Sequence, residues 1–214
     1  MKTKTKTKTK TKTKTSQTSL DKALLASSKA GDEDRVKDSL SAGADIHVQS
    51  DYALICSAGN GHLEVVRLLL DRGADIHAEH DHALRWAAEN GHLEVVRILL
   101  DGGTDIHVYD DCSLIWAATA SHLEVVRLLL DRGADVHAGN DSALRQSVTQ
   151  YHSDMVLLLL EYGADLEIGI DAAKDVRNSR AHGLLNQIKL SREEKKMLAA
   201  EVPEPERLGG RIRM

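Results

Sequence analysis

The 214 residues are 42% hydrophobic and 29% charged but only 3% aromatic, with no Phe, which argues against one large aromatic-centred core and for a soluble chain with a small, repetitive aliphatic one. The formal charge is −5, yet residues 2–15 hold seven lysines and no acid, so the rest carries −12; such a body is a poor phosphate-backbone binder and suits neutral or basic partners. Cys56 and Cys112 form no spaced framework and read as core fillers in a reducing compartment.

In chain order, the first element is a Lys/Thr arm, residues 1–20, in which Lys2, Lys4, Lys6, Lys8, Lys10, Lys12 and Lys14 alternate with Thr. As a strand it would line lysines along one face, where they repel, so the expectation is disorder. Charge alone would let the arm hold nucleic acid or anionic lipid with strong salt dependence, but no aromatic is present to stack on bases. No apolar stretch follows it and no run reaches the length of a membrane span, so neither a signal peptide nor a spanning helix is expected, and the chain reads as cytoplasmic.

From residue 21 a phrase returns every 30 residues: HLEVVRLLLDRGAD at His62, HLEVVRILLDGGTD at His92, and HLEVVRLLLDRGAD again at His122. Weaker copies start at Asp34 and His152, and the phase holds from Gly43 through Gly73, Gly103 and Gly133 to Gly163. Within one period Asp81 is expected to cap a short helix, HALRWAAEN, by accepting from its free first-turn amides. Gly91 then ends that helix in a left-handed turn, and LEVVRILLDG forms a second, amphipathic helix. Ala74 to His80 makes the connection as an extended arm or tight turn.

Neither helix buries its stripe alone, so the repeats must stack. They run 21–50, 51–80, 81–110, 111–140 and 141–170, with a degenerate cap at 171–190, together a repeat domain spanning 21–190. Arg35 and Ser39 replace Val65 and Leu69 in the first copy, and Lys174, Asn186 and Lys189 replace Leu54, Val66 and Leu69 in the last, giving wettable ends. Residues 191–214 read as a C-terminal helix and tail broken by Pro203 and Pro205.

The phrase A-L-x-W-A-A-x-x-G-H-L-E-V-V-R-x-L-L-D-x-G-A-D resembles the ankyrin repeat, whose usual period is about 33 residues. The resemblance implies an all-α solenoid of stacked helix-turn-helix units. The three missing residues fall between the G-A-D-I-H segment and the first helix, so the connecting fingers should be shortened. This short form is similar to ankyrin proteins of giant amoebal viruses. The family binds proteins, which implies a scaffold acting inside a cell, in a host cell on the viral resemblance.

Near-identical repeats serve as internal controls: the second helix barely changes, whereas the tips and first helices differ at every copy. The candidate partner contacts are therefore Tyr52, His80, His82, Arg85, Glu89, Asn90, Tyr109, Asp110, Thr119, Asn140 and Gln150. Arg85 could equally snorkel over the stack. Trp86 and Trp116 stand where the family places a partly buried Leu and read as packing rather than contact.

His62, His92, His122 and His152 recur once per repeat, about 10 Å apart in a stack, too far to share a metal and suited to turn-stabilising hydrogen bonds. His77, His80 and His82 lie closer, but nothing completes a metal site. No G-x-G-x-x-G, P-loop or G-x-S-x-G pattern occurs, so no catalytic residue and no cofactor is expected. Ser121 and Tyr151 stand where Gly61 and Gly91 end the first helix; a left-handed turn there stores strain and should speed hydrogen exchange around residues 119–152.

Overall fold

The computed structural model describes the backbone of residues 4–201 and the side chains of residues 16–197. The seven arm lysines' side chains and the tail beyond Glu201, with its two prolines, lie outside the described residues. Among the described residues there are twelve helices and no strand: α1 (Lys4–Ala30), α2 (Glu33–Ser41), α3 (Val48–Gly59), α4 (Leu63–Asp71), α5 (Ala78–Glu89), α6 (Leu93–Asp101), α7 (Val108–Thr119), α8 (Leu123–Asp131), α9 (Ala138–Thr149), α10 (Ser153–Glu161), α11 (Leu166–Asp175) and α12 (Ser179–Glu201).

They pair as six antiparallel hairpins stacked in chain order. Odd-numbered first helices pack on odd-numbered ones, and even-numbered second helices on even-numbered ones, always in the adjacent repeat. The first helices share more extensive contact with one another than the second helices do.

One seam runs through it. Leu24, Leu54, Leu84, Leu114 and Leu144 on the first helices, and Leu69, Leu99, Leu129 and Leu159 on the second, are all at most 1% exposed. Their 30-residue recurrence becomes an unbroken apolar column only when the hairpins touch.

Each hairpin turns through a residue at positive φ: Gly31, Gly61 and Gly91 at 74° to 76°, and Ser121 and Tyr151 at 64°. The left-handed turn thus persists where glycine is absent. At the three glycines an added Cβ would come within 2.4–2.5 Å of Nδ1 of His62, His92 and His122 respectively, so the next repeat's imidazole fills the space that only glycine leaves. Two of these rings bond the preceding repeat, His62 Nε2–H donating to the Lys29 carbonyl (3.0 Å) and His92 to that of Gly59 (3.1 Å). Ser121 brings a Cβ to the position facing His152, and there Nδ1 is buried without a partner. A cavity of about 50 Å³ lies beside it, lined by Tyr151, His152 and Asn178 among others.

The ends depart from the sequence expectation in three ways. The boundary at residue 20 falls inside α1, so no break separates the arm from the repeat domain; the helix docks from Gln17 inward, where Gln17 Nε2–H donates to Gly43 O and Leu24 is fully buried. Ser39 is buried at 6% exposure, leaving Arg35 alone to face water.

The last repeat slips by four residues. Arg177 takes the positive-φ position and Asn178 the His position, its Nδ2–H donating to Val148 O at 2.9 Å. Ile170 and Leu185, 3% and 0% exposed, therefore occupy the places of Leu54 and Leu69 that the unbroken period assigned to Lys174 and Lys189, and His182 rather than Asn186 takes that of Val66. The missing four residues are those of the connecting tip, since Asp165 caps α11 directly by accepting from Glu167 N. The boundary at 190 likewise lies inside α12.

Two outcomes follow from this packing. Leu99→Ala should lower stability by about 2–5 kcal/mol in chemical denaturation through the cavity it leaves, and a loss under about 1 kcal/mol would contradict its place in the seam. Ser121→Gly should raise stability by about 1 kcal/mol, by removing left-handed strain and letting the His152 ring settle as its counterparts do.

Candidate partner-binding surface

The tips are built from strained backbone. In each of four, three consecutive residues are left-handed: Gln49–Asp51, Glu79–Asp81, Tyr109–Asp111 and Gly139–Asp141, with φ between 52° and 60°. Only one of the twelve is glycine. A non-glycine residue in this region costs about 1–2 kcal/mol, and such residues ordinarily occur singly. Of the extended arm and the tight turn that the sequence allows, the structure has the tight turn, which accounts for the shortened fingers.

What holds it is a set of side-chain bonds repeated with the period. Asp45, Asp75, Asp105 and Asp135 each accept from the amide two residues on, at 2.9–3.0 Å, closing an Asx turn ahead of the left-handed run. His47, His77, His107 and His137 then place Nδ1 2.9–3.2 Å from a carboxylate oxygen of Asp51, Asp81, Asp111 and Asp141, a contact that needs the Nδ1–H form.

Three of these buried aspartates also reach across repeats: Asp51, Asp111 and Asp141 accept from the amides of Asp75, Asp135 and Asp165 at 2.8–3.1 Å. In the first copy, Gln17 and Asp21 reproduce the arrangement within a regular helix, Asp21 accepting from Gln17 and from Asp45 N. The expected capping role of Asp81 is thereby corrected: its carboxylate takes the His77 ring rather than the amides of its own helix, because the left-handed run turns it back toward the preceding segment.

On this frame the variable side chains form a surface. Tyr52, His80, Glu89, Asn90, Tyr109, Asp110, Asn140 and Gln150 are exposed, and His82, Arg85 and Thr119 partly so. Several meet. The His82 and Trp86 rings stack at 5.5 Å, Tyr52 lies 6.5 Å from Trp86, and His80 meets Tyr109 edge-on at 5.8 Å.

Arg85 donates to the carbonyls of Glu79 (2.9 Å) and His80 (3.3 Å), and its guanidinium lies 4.9 Å over Tyr109 and 5.9 Å from the Trp116 ring. Its first task is therefore to staple two tips together. Asn90 and Thr119 spend their side chains on the carbonyls of Trp86 and Ile115, and together with Glu89 and Gln150 they sit at the far end of the first helices from the tips.

Packing rather than contact is the expectation for both tryptophans, and they divide. Trp86 does pack partly into the core, over Gly59, but Trp116 is 37% exposed on the same face as Tyr109. The alternation of Trp with Cys56 and Gln146 at one helix position was the available signal.

Charge follows the same division. Segments 44–61, 74–91, 104–121 and 134–151, the tips and first helices of the four middle repeats, carry eleven acids against two bases; their second helices, 63–72, 93–102, 123–132 and 153–162, carry eight against five. On the second helices Glu64–Arg67 and Glu94–Arg97 pair at 3.9 and 3.6 Å.

Three clustered histidines point apart, His77 to Asp81, His80 to Tyr109 and His82 to Trp86, and among the described residues no group of three or more His, Cys, Asp or Glu is placed to hold a metal. Burial pushes the Cys56 thiol up to about 11, leaving it little thiolate.

His47 should titrate in the opposite direction to His82 and His92. The hydrogen bond to Asp51 raises His47 above 6.5, whereas burial, with Arg85 nearby, lowers His82, and burial lowers His92. His47 thus adds stability that is complete below 6.5 and lost as pH climbs through its raised midpoint. His82 and His92 add stability that is complete above 6.5 and lost as pH falls through their lowered ones. Ring-proton NMR should show this order, with Asp51→Asn bringing the His47 midpoint down.

The family model for ankyrin repeats, of three copies, matches residues 23–110 and 109–169. No curated protein matches the chain. The matched segments span most of the chain and coincide with the stacked hairpins, and the chain belongs to the ankyrin-repeat family.

Proposed function

We propose that the chain is a protein-binding scaffold whose partner lies along the tips and first helices, engaging Tyr52, His80, His82, Arg85, Glu89, Asn90, Tyr109, Asp110, Thr119, Asn140 and Gln150. Ankyrin repeats generally mediate protein–protein interaction, and the observation that carries the placement is the cluster of exposed rings on a rigid frame. Tyr109 is 60% exposed, and Tyr52 and Trp116 are each 37% exposed. Aromatic side chains presented with little conformational freedom are what interface hot spots are made of. The second helices, nearly identical from copy to copy, offer no such feature.

The reading names no catalytic residue and no cofactor. Among the described residues no helix is long and apolar enough to cross a membrane. We read the site of action as the cytoplasm, and the similarity of the short period to ankyrin proteins of giant amoebal viruses extends this to a host-cell protein as partner.

A second reading rests on Lys2 to Lys14, seven like charges in one strip, which would bind nucleic acid or anionic lipid by counterion release. A pull-down from cell extract separates the two. With the full chain, His82→Ala combined with Tyr109→Ala should reduce capture of specific partners about tenfold or more at unchanged thermal stability, while replacing the arm lysines with Ser leaves capture intact. Loss on lysine replacement or on nuclease treatment would favour the arm instead.

A further inference from the structure

We infer that the tip-and-first-helix face takes a cationic peptide segment of a partner protein, one that lies extended across the stack and presents Lys or Arg about every third residue. This rests on the protein-binding reading above and adds the chemistry of the partner. Two independent features of the face support it, its charge and its rings.

The charge asymmetry is internal to the molecule. The tips and first helices hold eleven acids against two bases, while the second helices of the same repeats hold eight against five. With the four buried aspartates set aside, the exposed balance is seven acids to two bases on the tips and first helices and eight to five on the second helices, where Glu64–Arg67, Glu94–Arg97 and Asp101–Arg132 pair. Of the seven exposed acids, Glu79 and Asp110 lie at the tips, Glu89 at the far end of its helix, and the other four in the Asx turns.

The rings on that face already accept a cation from within the chain. Arg85 lies 4.9 Å over the Tyr109 ring and 5.9 Å from that of Trp116, within the range at which an aromatic quadrupole attracts a guanidinium. Tyr109, Trp116 and Tyr52 keep further surface open to solvent, so incoming cations find both a ring and a neighbouring carboxylate.

The spacing follows from the stack. Packed helices lie about 8–10 Å apart, and an extended chain advances about 3.3 Å per residue, so bases three residues apart meet successive tips. The chain's own arm is instead helical from Lys4 onward, as part of α1, and so does not present an extended segment. That conformation argues for a segment of another protein over the arm as occupant.

Fluorescence anisotropy of labelled peptides against the full chain tests this. The probes are five copies of Arg-Ser-Gly, a peptide of the same composition with the arginines at alternate residues, and five copies of Glu-Ser-Gly. The first should bind about tenfold or more tighter than the Glu peptide, and tighter than the alternate one. Tyr109→Ala with Trp116→Ala should weaken it about fivefold, and Glu79→Lys with Asp110→Lys should weaken it further, while Glu64→Lys with Glu124→Lys on the second helices leaves it unchanged.

Equal binding of the Arg and Glu peptides, equal binding of the two Arg spacings, or an equal loss from second-helix reversals would overturn the inference. Thermal melts of each variant identify any loss that is only unfolding. If the His82→Ala, Tyr109→Ala protein loses its partner in the pull-down while no Arg peptide binds, the protein-binding reading stands and the cationic partner falls. If that variant keeps its partner, the placement of the partner on this face falls, and the cationic segment with it.

Discussion

A hairpin of two short helices has no interior, and the rest of this molecule follows from that constraint. The stripe of each helix can be dried only by the same stripe in the next repeat, so the leucines of the first and second helices form one column through the stack. Stability is thus shared between neighbours, and each interior repeat depends on both sides. The ends show the same requirement. At one end α1 covers α3; at the other, deleting the tip brings Ile170 and Leu185 into the column, so a four-residue slip in sequence preserves the packing in space.

Stacking also explains the tips. Packing of the first helices against one another leaves little room between the Asx turn and the next helix, and three left-handed residues make the connection in the space available. Their strain persists because bonds over-determine the turn: the Asx aspartate, the His–Asp pair and, in three repeats, an amide of the next copy held by the same buried carboxylate. Where the tip is missing, in the sixth repeat, α11 starts directly on Asp165 with ordinary helical geometry. The strained turn is therefore not needed to stack a repeat, and it sets a row of exposed side chains at the edge of the first-helix face.

Scaffold and surface are in this way chemically separate within each 30-residue unit. The second helices α4, α6 and α8 hardly vary, with Glu64 and Glu94 paired to Arg67 and Arg97; the tips gather acids and rings and change at every copy. Arg85 belongs to both, since it closes the carbonyls of its own tip and covers the ring of the next. Its removal would loosen the frame as well as alter the face.

Much of this was legible from the residues. The unbroken 30-residue period and apolar spacing determined helical pairs, their turns and the identity of the core leucines, because periodicity follows directly from which atoms must leave water. Whether the left-handed turn persists at Ser121 and Tyr151 was open in the residues, and the structure shows that it does. What only the tertiary structure decided is the partnering of side chains whose spacing in sequence says nothing of distance. A buried aspartate meets a histidine four residues earlier and an amide 24 residues later; Ser39 is covered by its neighbours; the last repeat abandons the period to keep its core; and Trp116, alike in sequence to Trp86, lies on the surface. Each depends on contact between repeats, and contact across a stack is a property of the assembled helices, not of any one of them.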